Sequence, residues 1–199
     1  MPWWEKFRYI KRVYFRIRGA VFFSPFFGSW GKGVVIYPSC LIFNPHKIFI
    51  SAATTVRGGV RLEVINKTVD CKGLTIGKNV NIEQNVHIVC RSNIVIGDNV
   101  SIGPNAVILD VSHPYMNNPN LEKIGSRVDI GDTWAFIGDG SVIGAGAIIL
   151  PKVKIGRFCF IGANAVVTRD IPDFAVAVGS PAKVIKIYDP SLEIPIKFS

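Results

Sequence analysis

The chain has 199 residues, of which 49% are apolar, and this is enough for one domain with a continuous core. That composition excludes an intrinsically disordered chain. The formal charge of +9 arises from 23 Lys and Arg against 14 Asp and Glu, and much of the excess lies near the N-terminus, at Lys6, Arg8, Lys11, Arg12, Arg16 and Arg18. The cluster indicates an anionic partner. Because no nucleic-acid-binding motif accompanies it, no nucleic acid is expected.

The cysteines argue against a metal site and a disulfide framework, and the N-terminal apolar residues argue against a secretory signal and a spanning helix. The cysteines have neither the spacing of a zinc site nor that of a disulfide framework, so no metal is expected and we interpret them as reduced core residues: Cys40, Cys71, Cys90 and Cys159. Charges recur through Arg18, and the apolar residues 21–30 are interrupted by Pro25 and Gly28. Neither a secretory signal nor a spanning helix is therefore predicted, and the cytoplasm is the expected compartment.

Residues 1–30 are predicted to contain an amphipathic helix. Apolar residues recur at steps of four and three and would form one stripe: Trp3, Phe7, Ile10, Tyr14, Ile17 and Val21. Arg8, Arg12 and Arg16 would lie opposite, with Lys11 and Arg18 on the flanks. Two interpretations are open. Either the stripe packs on the rest of the protein or on a neighbouring subunit, or the helix lies on an anionic membrane surface, at the cytoplasmic face of the inner membrane.

A six-residue repeat dominates residues 31–186, and residues 187–199 follow it as a tail. From Ile76 the chain reads IGKNVN, IEQNVH and IVCRSN, and after a two-residue slip it reads IGDNVS, IGPNAV and ILDVSH. A second run extends from Ile137 to Pro172. An aliphatic residue opens every hexad, and the fifth place is mostly small or aliphatic.

This repeat predicts an all-β fold, a parallel β-helix of triangular coils. Three hexads make one coil, with the opening side chains stacked inside and Gly or Asn at tight corners. Ile36, Ile42 and Ile48 indicate a first, imperfect coil, and residues 54–75 a less regular one. A sandwich of short strands would show no fixed phase.

The repeat fails most clearly after His113. The hexad ILDVSH ends there, and a segment with Pro114 and Pro119 follows before the period resumes at Ile130, which predicts a protruding loop. In the next hexad bulky Trp134 stands where a small residue belongs, and Phe136 is an extra residue. Functional residues are expected at this break.

These motifs resemble those of the hexapeptide-repeat acyltransferases, and among them the sugar O-acetyltransferases of the galactoside and maltose type and their polysaccharide-modifying relatives. The resemblance covers roughly residues 36–186 and includes the closing segment VVTRDIPDFAVAVGSPAKVIK. It implies a left-handed β-helix, a homotrimer and acetyl-CoA as co-substrate. The acceptor would be a sugar or glycan hydroxyl, which could be lipid-linked, in bacterial surface polysaccharide synthesis.

The resemblance also implies the catalytic residues. Family members place a histidine at the end of such a hexad, commonly before Pro, and His113-Pro114 matches. A sugar hydroxyl needs a base that titrates near neutral pH, so His113 would be the general base. The main-chain N–H of Asp139 would hold the oxyanion. His46 and His87 lack this context and are interpreted as structural or solvent-facing.

The binding residues implied by the resemblance depart from the family in two places. Phe136 stands where the family usually has Trp, so either Phe136 or Trp134 would line the acceptor or pantetheine channel, and core packing is the alternative for either ring. Glu83 stands where galactoside-type relatives have Asn, and it could orient His113, bind a different sugar or lie on the surface. The expected CoA contacts are small residues and two phosphate-pairing cations: Gly144, Ala145, Ala163, Arg169 and Lys183.

Three other functions compete with sugar O-acetylation. A zinc-dependent hydratase of the γ-carbonic anhydrase kind needs two closely spaced histidines on one strand, which His46, His87 and His113 do not provide. A non-catalytic ice-binding or scaffold β-helix would show a regular ladder of outward Thr or Asn. N-acyl transfer to an amino sugar or nucleotide sugar is the main alternative, because the residues that select the acceptor cannot be read from one sequence.

Overall fold

The chain forms an N-terminal helix followed by a left-handed parallel β-helix, as the repeat and the resemblance predicted. This computed structural model describes residues 2–65, 73–113, 123 and 133–189. Most of the predicted loop after His113 and the end of the tail lie outside these residues, as does Cys71. Of the other cysteines, Cys90 and Cys159 are buried in the core as predicted, whereas Cys40 is only half-buried against it.

The N-terminal helix, α1, spans Trp3–Arg18 and continues as a π-helical turn over Gly19–Phe23 and a 3-10 turn over Ser24–Phe26. Gly19 is buried against Trp30, where a Cβ atom would lie 2.8 Å from the Trp30 ring. The chain therefore passes from α1 to the β-helix through a close contact between Gly19 and Trp30 that leaves no space for a larger residue than glycine. None of the described helices combines the length and apolar composition that a bilayer crossing needs.

Three sheets form the sides of the triangular coil. The first sheet contains β1 (Ser29–Trp30), β4 (Ile48–Ile50), β7 (Gly73–Ile76), β10 (Asn93–Ile96), β13 (Ala135–Ile137) and β16 (Val153–Ile155). The second contains β2 (Val35–Ile36), β5 (Thr55–Val56), β8 (Asn81–Ile82), β11 (Ser101–Ile102), β14 (Val142–Ile143), β17 (Phe160–Ile161), β19 (Ala175–Val178) and β20 (Lys183–Ile187). The third contains β3 (Leu41–Phe43), β6 (Arg61–Val64), β9 (His87–Cys90), β12 (Val107–Leu109), β15 (Ile148–Ile149) and β18 (Val166–Val167).

All neighbouring strands are parallel except the last pair, in which β20 returns antiparallel along β19. The first strand begins at Ser29, two residues before the predicted start of the β-helix at residue 31, and β20 ends at the predicted boundary of residue 187. The predicted first coil is present, because Ile36, Ile42 and Ile48 lie in β2, β3 and β4.

The aliphatic residues that open the hexads form the core, as predicted. In the first sheet they pair in register from coil to coil and are buried: Ile50, Ile76, Ile96, Ile137 and Ile155. Stacking identical side chains at the spacing of one β-ladder removes a continuous apolar column from water. This burial stabilises the folded state by about 25 cal/mol per Å² of apolar surface.

The corners also follow the sequence. Asparagines occupy the left-handed backbone region, with φ between 53° and 60°: Asn79, Asn85, Asn99, Asn105 and Asn164. Gly140 and Gly146 take the same role with φ of 67° and 68°. Asn and Gly tolerate this conformation better than other residues, which explains their place in the repeat.

Three edges join the sheets. The first edge leads from the first sheet to the second and comprises residues 31–34, 51–54, 77–80, 97–100, 138–141 and 156–159. The second edge leads from the second sheet to the third and comprises residues 37–40, 57–60, 83–86, 103–106, 144–147 and 162–165. The third edge leads back to the first sheet and includes the described residues 44–47, 65, 91–92, 110–113, 133–134, 150–152 and 168–170.

Candidate active site

His113 lies on the third edge, four residues beyond the end of β12, and its side chain is exposed. The chain leaves the stack at this point, between β12 in one coil and β13 in the next. His113 is thus exposed where the repeat breaks, and its role as the general base stays a prediction.

Asp110 anchors the segment that carries His113. Its fully buried carboxylate accepts main-chain N–H bonds from Arg91, from Ser92 at 2.8 Å and from Asn93 at 2.7 Å. Burial raises the pKa of this carboxyl, while the three N–H donors act in the opposite direction. The carboxylate thereby joins the turn of the preceding coil to the start of the break.

The far end of the break is tied to the same residue. The Thr133 hydroxyl is buried and donates a hydrogen bond of 2.5 Å to the main-chain carbonyl of Asp110. The sequence analysis missed both residues, although one signal was available. Strand alternation directs Asp110 inward, like Cys90 one coil earlier. Burying a carboxylate is costly unless it is hydrogen-bonded, so an Asp at a core position of the repeat indicates a specific set of hydrogen-bond donors.

The main-chain N–H of Asp139 on the first edge differs from its neighbours in the stack. The N–H groups of Lys78, Asp98 and Arg157 each donate to an Asp carboxylate of the following coil, at 2.7, 2.8 and 2.9 Å. For Asp139 the next coil presents Arg157 instead, and no acceptor within the described residues receives its N–H. An exposed, unpaired N–H of this kind can bind an oxyanion.

Trp134 and Phe136 stack on each other, with ring centroids 4.8 Å apart and planes 21° apart. Both side chains are half-buried, whereas Ala135 and Ile137 between and after them point into the core. The two rings therefore form one aromatic surface on the outside of the β-helix, beside the third edge. The predicted choice between them as channel lining stays a prediction.

Glu83 and the predicted CoA-binding small residues share the second edge. Glu83, Gly144 and Gly162 occupy equivalent places in different coils, and Ala145 and Ala163 each follow one of these glycines. A Cβ atom at Gly144 would lie 2.6 Å from the main-chain nitrogen of Ala163, so the contact between these two coils has no space for a side chain at this position. The Glu83 carboxylate accepts a 2.6 Å hydrogen bond from the Asn81 side chain.

The predicted site residues thus lie on different edges of one chain. His113, Trp134 and Arg169 lie on the third edge, Asp139 on the first, and Glu83 with the small residues on the second. Lys183 begins β20 in the second sheet. A single chain does not bring the predicted base, the oxyanion N–H and the CoA contacts to one edge, and it provides no edge shared by Glu83 and His113.

The other two histidines are placed as the sequence predicted. His87 lies on the outer face of β9 with its Nε2 atom 3.0 Å from the Glu63 carboxylate, which also pairs with Arg61 at 2.7 Å. His46 is exposed in the 3-10 turn Pro45–Lys47.

Similarity to known proteins agrees with the repeat and the fold. Residues 135–169 match the family described as Bacterial transferase hexapeptide (six repeats). The chain is 39% identical over 61 residues to a serine acetyltransferase of Haemophilus influenzae, covering 31% of this chain and 23% of that protein. It is 41% identical over 73 residues to a galactoside O-acetyltransferase of Lactococcus lactis, covering 37% and 33%. The chain thus spans a quarter to a third of the length of these curated relatives.

The fold extends the match beyond these local segments. The crystal structure of AntD, an N-acyltransferase from Bacillus cereus in complex with dTDP and 3-hydroxybutyryl-CoA, superposes with a TM-score of 0.71 at 20% identity. The superposition covers 84% of this chain and 86% of AntD. The resemblance to the hexapeptide-repeat acyltransferases is confirmed, and the left-handed β-helix is shared along most of the chain.

Changing Asp110 to Asn should destabilise the fold. The carboxylate accepts hydrogen bonds from three main-chain N–H groups, and the NH2 group of an asparagine would place a donor against these donors. We expect the free energy of unfolding to fall by about 1–3 kcal/mol, measured by urea denaturation. Asp98→Asn is the matched control, since Asp98 is partly exposed and accepts from Lys78 alone at 2.7 Å. Equal losses in the two variants would contradict the anchoring role of Asp110.

Proposed function

We propose that the protein is an acyltransferase that moves the acetyl group of acetyl-CoA to a sugar hydroxyl in bacterial surface polysaccharide synthesis. The observation that carries the proposal is the exposed His113 at the break of the hexapeptide repeat, held there by the buried Asp110. The similarity to a galactoside O-acetyltransferase supports the sugar acceptor.

In the proposed reaction His113 removes the proton from the acceptor hydroxyl while the oxygen attacks the thioester carbonyl carbon. The carbonyl oxygen becomes an oxyanion, and the main-chain N–H of Asp139 stabilises it. The intermediate then collapses, the carbon–sulfur bond breaks, and the imidazolium returns its proton to the CoA thiolate. Acetyl transfer is direct, so neither a covalent enzyme intermediate nor a metal is needed.

The CoA contacts proposed for this reaction follow from the second edge. The small residues Gly144, Ala145 and Ala163 lie on this edge, and their size would let a pantetheine arm approach main-chain groups. Arg169 and Lys183 are exposed cations near the C-terminal coils and would pair with the CoA phosphates. The aromatic surface of Trp134 and Phe136 would line the acceptor channel.

N-acyl transfer to an amino sugar is the second candidate, and the similarity in fold to an N-acyltransferase that binds dTDP and 3-hydroxybutyryl-CoA favours it. The same base and oxyanion donor would serve an amine acceptor. Incubation with acetyl-CoA and a panel of sugars, amino sugars, nucleotide sugars and lipid-linked glycans separates the two candidates, because mass spectrometry identifies the acylated product. Acetylation of amino sugars alone would contradict O-acetyl transfer.

Changing His113 to Ala should lower kcat by about two to four orders of magnitude, because the acceptor hydroxyl loses its base. The Kd for CoA and the melting temperature should stay nearly unchanged, since His113 is exposed. His46→Ala is the matched control, an exposed histidine outside the break, and should keep full activity. Retention of a third of the activity in the His113 variant would rule out His113 as the base.

We expect a homotrimer, because a neighbouring copy is needed to bring different edges of the triangle together. The outer face of the second sheet supports an interface, since Val142 and Phe160 pair in register there and are 37% and 39% exposed. Light scattering at micromolar concentration should give three times the 21.9 kDa chain mass. Phe160→Lys should reduce that mass, whereas Leu41→Lys on the third sheet should not. A monomer mass for the unmodified protein would contradict a site shared between subunits.

The apolar stripe of α1 is proposed to lie on anionic lipid, at the cytoplasmic face of the inner membrane. The stripe is exposed along its whole length, between 52% at Phe7 and 76% at Trp3, which supports an outward-facing stripe. Trp, Phe and Tyr side chains on this stripe are suited to the lipid interface. A lipid-linked glycan would be a natural acceptor there.

The pair of substitutions Phe7→Ser and Tyr14→Ser should abolish co-sedimentation with vesicles that contain anionic lipid, because both residues lie on the stripe. Tyr9→Ser is the matched control, an aromatic residue of similar exposure that lies off the stripe. If the unmodified protein stays in the supernatant at low salt, the membrane proposal is wrong. If the pair of substitutions lowers the trimer mass instead, the stripe belongs to a subunit interface.

A further inference from the structure

A basic recess lies between α1 and the second edge of the β-helix, separate from the third edge that carries His113. Its volume is about 540 Å³, within the range of small-molecule sites. Arg8, Lys11 and Arg12 line it from the helix, and Tyr37, Arg57 and Glu83 line it from the β-helix.

The orientation of α1 creates this recess. Arg8 and Arg12 are four residues apart and lie on one side of the helix. The same side meets the β-helix, where the rings of Phe15 and Tyr37 lie 5.1 Å apart. The apolar stripe therefore faces outward, and the charged side of α1 faces the protein. Arg8 and Arg12 therefore line the recess together with Arg57 and Glu83.

The charges of the recess are not balanced by the protein. Four cations line it against one carboxylate. Glu83 already accepts from Asn81, and its second oxygen lies 3.8 Å from the Arg57 Nε atom. No carboxylate of the described residues pairs with Arg8, Lys11 or Arg12. Cations brought together in a recess repel one another and attract an anion.

The hydrogen bonding of Arg57 gives a second indication. Its Nε atom is buried and has no hydrogen-bond partner among the described residues. The guanidinium lies over the Tyr37 ring at 5.2 Å, which holds it in place. A buried donor without an acceptor is destabilising, and the oxygen of an anionic ligand would satisfy it.

From these observations we propose that the recess binds a phosphate-bearing ligand, and specifically a diphosphate. One guanidinium group can donate two parallel hydrogen bonds to two oxygens of a phosphate. Several arginines around one cavity therefore favour a ligand with adjacent phosphates over a ligand with a single carboxylate. The diphosphate could belong to a soluble nucleotide sugar or to a lipid headgroup. If it belongs to the acyl acceptor, that role rests on the proposed function, whereas the binding itself does not.

The test is calorimetric titration of the full chain with inorganic pyrophosphate at low ionic strength. Arg12→Gln should raise the Kd at least about tenfold, because a guanidinium in the recess is lost. Arg16→Gln removes the same charge from the same helix outside the recess and should change the Kd less than about twofold. Arg57→Gln should weaken binding as Arg12→Gln does, and it is independent of any disturbance of α1.

The result that overturns the diphosphate site is an unmodified protein that shows no saturable binding below about 10 mM pyrophosphate, or equal losses in the Arg12 and Arg16 variants. The His113→Ala variant should bind pyrophosphate normally, so a failure of the proposed catalysis remains distinguishable. Competition by a uridine diphosphate sugar supports a soluble source. Arg12-dependent binding to phosphatidylcholine vesicles that carry a polyprenyl diphosphate supports a lipid source.

Discussion

Parallel hydrogen bonding between successive coils is the constraint on which the rest of the structure depends. Each strand of a sheet pairs with the equivalent strand of the next coil, so every coil must repeat the same triangle at the spacing of a β-ladder. Inside, this spacing stacks Ile76, Ile96 and Ile137 directly on one another. At the edges it leaves little space. A Cβ atom at Gly77 would lie 2.6 Å from the backbone of Gly97.

The same constraint determines where chemistry can occur. A coil that repeats faithfully offers short strands and tight corners, whereas a break in the stack lets side chains and loops depart from the repeat. Asp110 shows how the break is stabilised, because its carboxylate accepts the N–H groups of the coil below and its carbonyl accepts from Thr133 beyond the break. Asp139 shows a smaller break, in which the ladder of N–H to carboxylate bonds is interrupted and one N–H has no acceptor among the described residues.

The N-terminal helix adds two surfaces of opposite character to the β-helix. Its apolar stripe faces outward and its arginine side faces the second edge. Phe15 against Tyr37 and Gly19 against Trp30 determine this orientation. Helix and β-helix together thus form a charged recess that neither contains alone.

The sequence by itself determined the β-helix, because the six-residue period of Ile, Val, Asn and Gly fits only a coil with stacked aliphatic residues and left-handed corners. It also located the break at His113, since a failure of the period is visible without coordinates. Only the tertiary structure showed that Asp110 and Thr133 are joined across the break and that Arg8 and Arg12 lie around one recess with Arg57. It also showed that the N–H of Asp139 has no acceptor in the part of the chain that the structure describes. Each of these depends on contacts between residues about 20 to 50 positions apart, and a local pattern carries no information about which side chain of a neighbouring coil or helix will lie opposite.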